Sequence, residues 1–214
     1  DLDSNPRLRN RHVDLGAYEF AFSGSVRAFL QGPYSTNTHS MTATLATNLP
    51  HASPYAVAPQ TAETIGSNTT DWVLLQVLDA ESNSIRFSRS ALLRNDGVLV
   101  DENGSPDLAI ELQPLTTNRV RISHRNHLAI MTAAAIPFTT LQLALDFTTD
   151  AATCAGGTNA CCSPESGAWA MIAGDTDGDG RITAVDRTIV QQQLGKTGYL
   201  VGDLNLDGVV NDED

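Results

Sequence analysis

From residue 17 onward the chain alternates apolar and polar positions over short stretches set apart by turn residues, a period of two that predicts strands. In FAFSGSVRAFL (20–30) the apolar side falls on Phe20, Phe22, Gly24, Val26, Ala28 and Leu30. In RVRIS (119–123) Val120 and Ile122 take one face, Arg119 and Arg121 the other. WVLLQVLD (72–79) is a continuous apolar run of strand length. SIRFSRSALLR (84–94), followed by Asn95-Asp96-Gly97 and then VLVD, predicts a hairpin, and Asn103-Gly104 marks a further turn before DLAIELQ (107–113). LAIMTAAAI (128–136), LQLALDF (141–147) and AWAMIAG (168–174) complete the set. Short strands at this spacing predict a mainly β protein, an antiparallel β-sandwich over residues 17–174, with residues 1–16 as an N-terminal arm. Residues 46–70 are long and polar and read as a surface loop.

The period changes once. AVDRTIVQQQLGK (184–196) brings Val185, Ile189, Val190 and Leu194 onto one helical face, and Gly195 provides a stop. Residues 175–214 are therefore expected to form a small C-terminal α/loop module.

Oxygen-bearing side chains cluster at both ends of that module. DTDGDGRITAVD (175–186) and DLNLDGVVNDED (203–214) begin twenty-eight residues apart and repeat one pattern. Asp175, Asp177 and Asp179 in the first, and Asp203, Asn205 and Asp207 in the second, alternate so that a tight loop turns all three inward. Gly180 and Gly208 hold the sixth place, where a sharp turn favours a residue without Cβ. The carbonyls of Arg181 and Val209 follow at the seventh place, Thr183 and Asn211 at the ninth, Asp186 and Asp214 at the twelfth. This is the oxygen-rich, twelve-residue arrangement that a hard cation such as Ca²⁺ requires. Magnesium suits it less, because it gives up its waters reluctantly. The bland alternative is an acidic, solvated turn, and the duplication argues against it.

The form D-x-[DN]-x-[DN]-G-x-[IV]-[TN]-x-x-D, repeated at this interval, resembles the dockerin module of secreted bacterial proteins over residues 174–214. In that family each loop is followed by a helix. Here the second helix is missing, so docking of a cohesin through paired helices is not implied. NPRLRNRHVDLGAYEF (5–20) is similar to the stretch that closes right-handed β-helix regions of large secreted bacterial surface proteins. It implies that the chain belongs after, or derives from, such a region. The opening at Asp1, with neither Met nor an apolar leader, fits a processed or excised start.

Charge narrows the partners. The 214 residues carry a formal net charge of −12, and nine of the twenty-five acids lie in the last forty residues. Such a field repels nucleic acid and favours cations. With Lys196 the one lysine, a Lys–Asn isopeptide cross-link has almost no donor in the main body. No apolar run is long enough to span a membrane. Cys154, Cys161 and Cys162 crowd into TCAGGTNACC, which suits an oxidised, extracellular setting. One loop-closing disulfide from Cys154 to Cys161 or to Cys162 is expected. A zinc site is the rival reading, with no His near in sequence.

Catalytic signatures are missing from the sequence. There is no G-x-S-x-G elbow and no H-E-x-x-H helix. His124 and His127 in SHRNH read as surface residues beside arginines, and Asp101-Glu102 lies in a turn. Trp72 and Trp169 sit inside strand patterns and read as core, which leaves a polysaccharide ligand without support. The expectation is a non-enzymatic, extracellular or cell-surface structural protein that binds Ca²⁺. It would associate head to tail with its own copies, through the N-terminal arm and the C-terminal module, into a filament. The alternative is an anchoring or accessory module of a larger secreted β-helix protein or enzyme.

Overall fold

The computed structural model describes residues 8–9, 12–13, 21–112, 116–138 and 142–214. Its main strands are β1 (Ala21–Arg27), β2 (Thr69–Asp79), β3 (Ile85–Arg94), β4 (Leu99–Val100), β5 (Leu108–Glu111), β6 (Thr117–Ser123), β7 (Ile130–Met131) and β8 (Gln142–Asp146). One sheet runs β7-β6-β2-β3-β4 with every pair antiparallel, and Ile136–Pro137 adds to β6. The other runs β8-β1-β5, with β8 parallel and β5 antiparallel to β1.

The two sheets face each other across one core. Val26 of β1 with Leu108 and Ile110 of β5 packs in the same cluster as Val73, Leu75, Val77, Ala91, Leu93, Val120 and Ile122 of the larger sheet. The fold is the expected mainly β sandwich, and the alternation read in 119–123 falls as expected, with Val120 and Ile122 fully buried. Gly24, Val26, Ala28 and Leu30 are buried as well. The hairpin joins β3 to β4 through Leu92↔Val100 and Leu93↔Leu99.

Two stretches differ in part from expectation. β2 is apolar on both faces, and its outer face needs a cover. The expected surface loop 46–70 supplies it: largely exposed, it nonetheless turns a few apolar side chains onto the sheet. Trp72, Leu92 and Val100 form a second cluster with Ala62, Tyr55 and Ile65. The Trp72 Nε1–H donates to the Pro50 carbonyl (2.8 Å), and the Tyr55 hydroxyl to the Trp72 carbonyl (3.2 Å). In 128–136 only Ile130–Met131 and the first residue of Ile136–Pro137 are strand. The alanines between offer no side chain to pack, and Arg119 Nη1 binds the carbonyls of Thr132 (3.0 Å) and Ala133 (2.7 Å). The N-terminal arm lies outside the described residues, apart from Leu8–Arg9 and His12–Val13, which pair with each other.

A hairpin of β9 (Cys161–Glu165) and β10 (Ala168–Met171) leads toward the C-terminal segment. That segment holds α1 (Ala184–Gln193), the one α-helix among the described residues. It returns to the sandwich at its end: Leu206 belongs to the main core, with Tyr199 packed against it. Backbone meets backbone closely here, since a Cβ at Gly32 would lie 1.9 Å from the Leu204 carbonyl oxygen. No helix among the described residues is long and apolar enough to cross a membrane.

Candidate metal centre

The two acidic loops share one hydrogen-bonding scheme, position by position. The first-place carboxylate accepts from the sixth-place glycine: Gly180 N–H to Asp175 Oδ2 (3.2 Å), Gly208 N–H to Asp203 Oδ2 (2.9 Å). The third-place oxygen accepts from the fifth-place amide: Asp179 N–H to Asp177 (3.1 Å), Asp207 N–H to Asn205 (2.9 Å). The fifth-place carboxylate accepts from Arg181 N–H and from Val209 N–H, both at 2.8 Å. Thr183 and Asn211 accept from the amides of Val185 (3.1 Å) and Glu213 (2.7 Å).

The twelfth-place aspartate closes each ring. Asp186 takes the N–H groups of Thr176 (2.8 Å), Asp177 (3.2 Å) and Thr183 (2.8 Å). Asp214 takes those of Leu204 (2.7 Å), Asn205 (3.1 Å) and Asn211 (2.8 Å). Backbone amides thus hold at least one oxygen of every side chain in the pattern. All twelve positions singled out in the sequence lie in these two rings, and the flanking acids Asp212 and Glu213 stay exposed.

Burial and charge distinguish the groups. Asp175 is 4 % exposed and its Oδ1 is a buried oxygen with no hydrogen-bond partner. Carboxylate oxygens of Asp175, Asp177 and Asp186 lie within 4.8 Å of one another. Burial pushes the Asp175 carboxyl upward. It pushes Asp203 up to about 6, against the opposing pull of the Gly208 N–H and Arg125. The Thr183 N–H, joined by those of Asp177 and Thr176, holds Asp186 down at about 2. Each loop gathers oxygen donors alone, which suits a hard cation and gives a soft metal no thiolate or imidazole.

Residues of the sandwich hold the second loop in place, and the local sequence patterns did not point to them. Asp71 of β2 is fully buried. Its carboxylate accepts from Arg125 Nε (2.8 Å), His124 Nε2 (3.1 Å), the Tyr199 hydroxyl (2.7 Å) and the Trp72 N–H (2.7 Å). Burial alone would raise its pKa, but Arg125 and then His124 overcome this and hold it at about 2. The Arg125 guanidinium lies 4.3 Å over the Tyr199 ring and donates to the Leu200 carbonyl. His124 and His127, expected at the surface, are buried, and their places in this network explain why burial is tolerated. The signal available was SHRNH itself, five polar residues in a row at a strand end.

All three cysteines are thiols. Successive residues of β9 face opposite ways. Cys161 is buried in the core cluster with Cys154 and donates to the Gly157 carbonyl (3.4 Å), whereas the Cys162 thiol turns to the Ala170 carbonyl (3.6 Å). Burial raises the pKa of Cys161 to about 12, with the neighbouring Cys154 thiol contributing. Trp72 is fully buried, and Trp169 packs against the core.

No family model and no curated protein matches this chain. Among solved structures it is similar to a chain of a type II cohesin–X–dockerin complex from Acetivibrio cellulolyticus, an N-terminal interface mutant. The TM-score is 0.43 at 14% identity, over 89% of this chain and 88% of that one. A likeness of that degree assigns neither a family nor a partner.

Proposed function

We propose that this protein is a non-enzymatic, extracellular structural module whose C-terminal segment is locked by two calcium ions. One observation carries the reading: two loops of unrelated surroundings adopt the same amide-to-oxygen scheme, and Asp175 Oδ1 is left buried without a partner at the centre of the first. Asp175, Asp177, Asp179, Thr183, Asp186 and the Arg181 carbonyl would hold one ion. Asp203, Asn205, Asp207, Asn211, Asp214 and the Val209 carbonyl would hold the other. Calcium supplies positive charge among carboxylates that otherwise repel, so its binding free energy becomes stability of the folded segment. Extracellular modules of this kind bind on the order of 10⁻⁴–10⁻³ M, which millimolar calcium outside cells satisfies.

Contact with another chain is the second half of the proposal. Exposed large apolar residues concentrate on the C-terminal segment: Ile182, Val185, Leu194 and Val209 are 49, 57, 47 and 38 % exposed. We take the occupant to be a further copy of the chain, arranged head to tail. The resemblance of residues 5–20 to the end of a β-helix favours a second reading, attachment to a larger secreted protein.

The test is calorimetric titration with CaCl₂ on the whole chain, with light scattering of the same samples. Two ions per chain are expected, one in Asp175→Ala and one in Asp203→Ala. EDTA should lower stability by about 1–4 kcal/mol relative to millimolar calcium. An unchanged melting temperature in EDTA would refute structural calcium, and a monomer at high concentration with calcium would refute self-association.

A further inference from the structure

We infer that Asn126, a residue of the sandwich, is the positioning residue for both calcium loops and couples one to the other. This rests on the calcium reading and goes beyond it. Asn126 is fully buried, and its backbone carbonyl and both ends of its side-chain amide are hydrogen-bonded. Its backbone carbonyl accepts the N–H of Gly174 (2.9 Å), the residue just before Asp175. Its side-chain Nδ2 donates to the carbonyls of Asp203 (2.7 Å) and Val201 (3.0 Å). One residue therefore grips the entry of the first loop and the first ligand residue of the second.

The assignment of its amide follows from chemistry. Two carbonyls can only accept, so the atom facing them must be Nδ2, and Oδ1 faces His127 Nδ1 at 2.8 Å. His127 must then carry its proton on Nδ1, and its Nε2 accepts the Gly32 N–H (3.3 Å). His124 Nδ1, 3.0 Å from His127 Nδ1, is left as an acceptor, and its Nε2–H donates to Asp71 (3.1 Å). The amide is thus locked from behind by a chain that ends on β2. It has no rotameric alternative that satisfies the same partners.

A cation entering the second loop requires the Asp203 backbone to stay where Asn126 holds it. Fixing that backbone fixes Asn126, and with it the hydrogen bond to Gly174. The metal sites and the sandwich are in this way joined through a single residue, by its backbone to the first loop and by its side chain to the second, and neither loop sequence contains it.

The experiment is calcium titration of the whole chain in two backgrounds, Asp175→Ala, where the second loop alone binds, and Asp203→Ala, where the first alone binds. Adding Asn126→Ala removes two hydrogen bonds to neutral carbonyls. Affinity should fall roughly tenfold or more in the first background and stay within about twofold in the second, which keeps its backbone contact. The rise in melting temperature produced by calcium should shrink as well. A purely structural asparagine would lower the melting temperature equally with and without the ion. Hydrogen exchange in Asp175→Ala, which leaves Asn126 in place, decides the matter if Asn126→Ala does not fold. Calcium in the second loop should slow exchange of the Gly174 N–H. Two ions bound with unaltered affinities in the Asn126→Ala protein, or unchanged exchange at Gly174, would overturn the role of Asn126 and leave the calcium reading standing. A wild-type chain that binds no calcium overturns both.

Discussion

At Gly32 the constraint comes from a neighbour. The Leu204 carbonyl oxygen and carbon would lie 1.9 and 2.7 Å from any Cβ placed there. No rotamer relieves a clash between Cβ and backbone, so Gly32→Ala should push the second loop off the sandwich. The expected cost is about 2–4 kcal/mol in urea unfolding, with weaker calcium binding at that loop. The buried imidazoles give a second expectation. Burial lowers the pKa of His124 despite the pull of Asp71, and burial, then the repulsion that a protonated His124 and Arg125 would exert, lowers that of His127 more strongly. The unfolded chain protonates both near pH ~6.5. Below that pH it binds more protons than the folded chain, so stability present above pH ~6.5 is lost as the pH falls. The loss should reach up to about 1.4 kcal/mol per pH unit for each histidine. Urea midpoints at pH 7.5 and 5.5 in saturating calcium measure it, and equal midpoints would show that the pair is not held neutral.

Helix α1 and its loop share two residues. Thr183 accepts the Val185 N–H (3.1 Å) as N-cap, while Asp186 Oδ2 accepts the Thr183 N–H (2.8 Å), closing a capping box. The same two residues are the ninth and twelfth places of the first loop. Thr183→Ala should therefore cost about 1 kcal/mol of helix stability. Its circular dichroism deficit should persist in EDTA; a deficit seen only with calcium would mean that the cap acts through the ion. The start and type of this helix were legible in the sequence, as were the strands with period two, because local spacing encodes both. Pairing was not legible: β8 lies parallel beside β1, and nothing in LQLALDF names that neighbour. The cover over Trp72 was also hidden, because Tyr55, Ala62 and Ile65 are spread through a polar stretch without a period.

Across the whole molecule the repeat is equal in chemistry and unequal in place. The eighth residue of the second loop, Val210, is fully buried, whereas its counterpart Ile182 is 49 % exposed. The loop signatures were readable because each ligand set is contiguous. The grip on them was not, because Asp71, Asn126 and Gly32 converge from distant parts of the chain. That convergence has a kinetic consequence. On the calcium reading, an ion in the first, outer loop would lie near solvent, while one in the second, inner loop would sit beside the buried Leu206 and Val210 and leave more slowly. A chelator mixed rapidly with the loaded protein should strip its ions in two phases, the slower one absent from Asp203→Ala. Between those phases a half-emptied form is expected, body intact and outer face loosened. On the calcium reading, a brief fall in ambient cation would slacken that face alone and leave the rest of the protein folded.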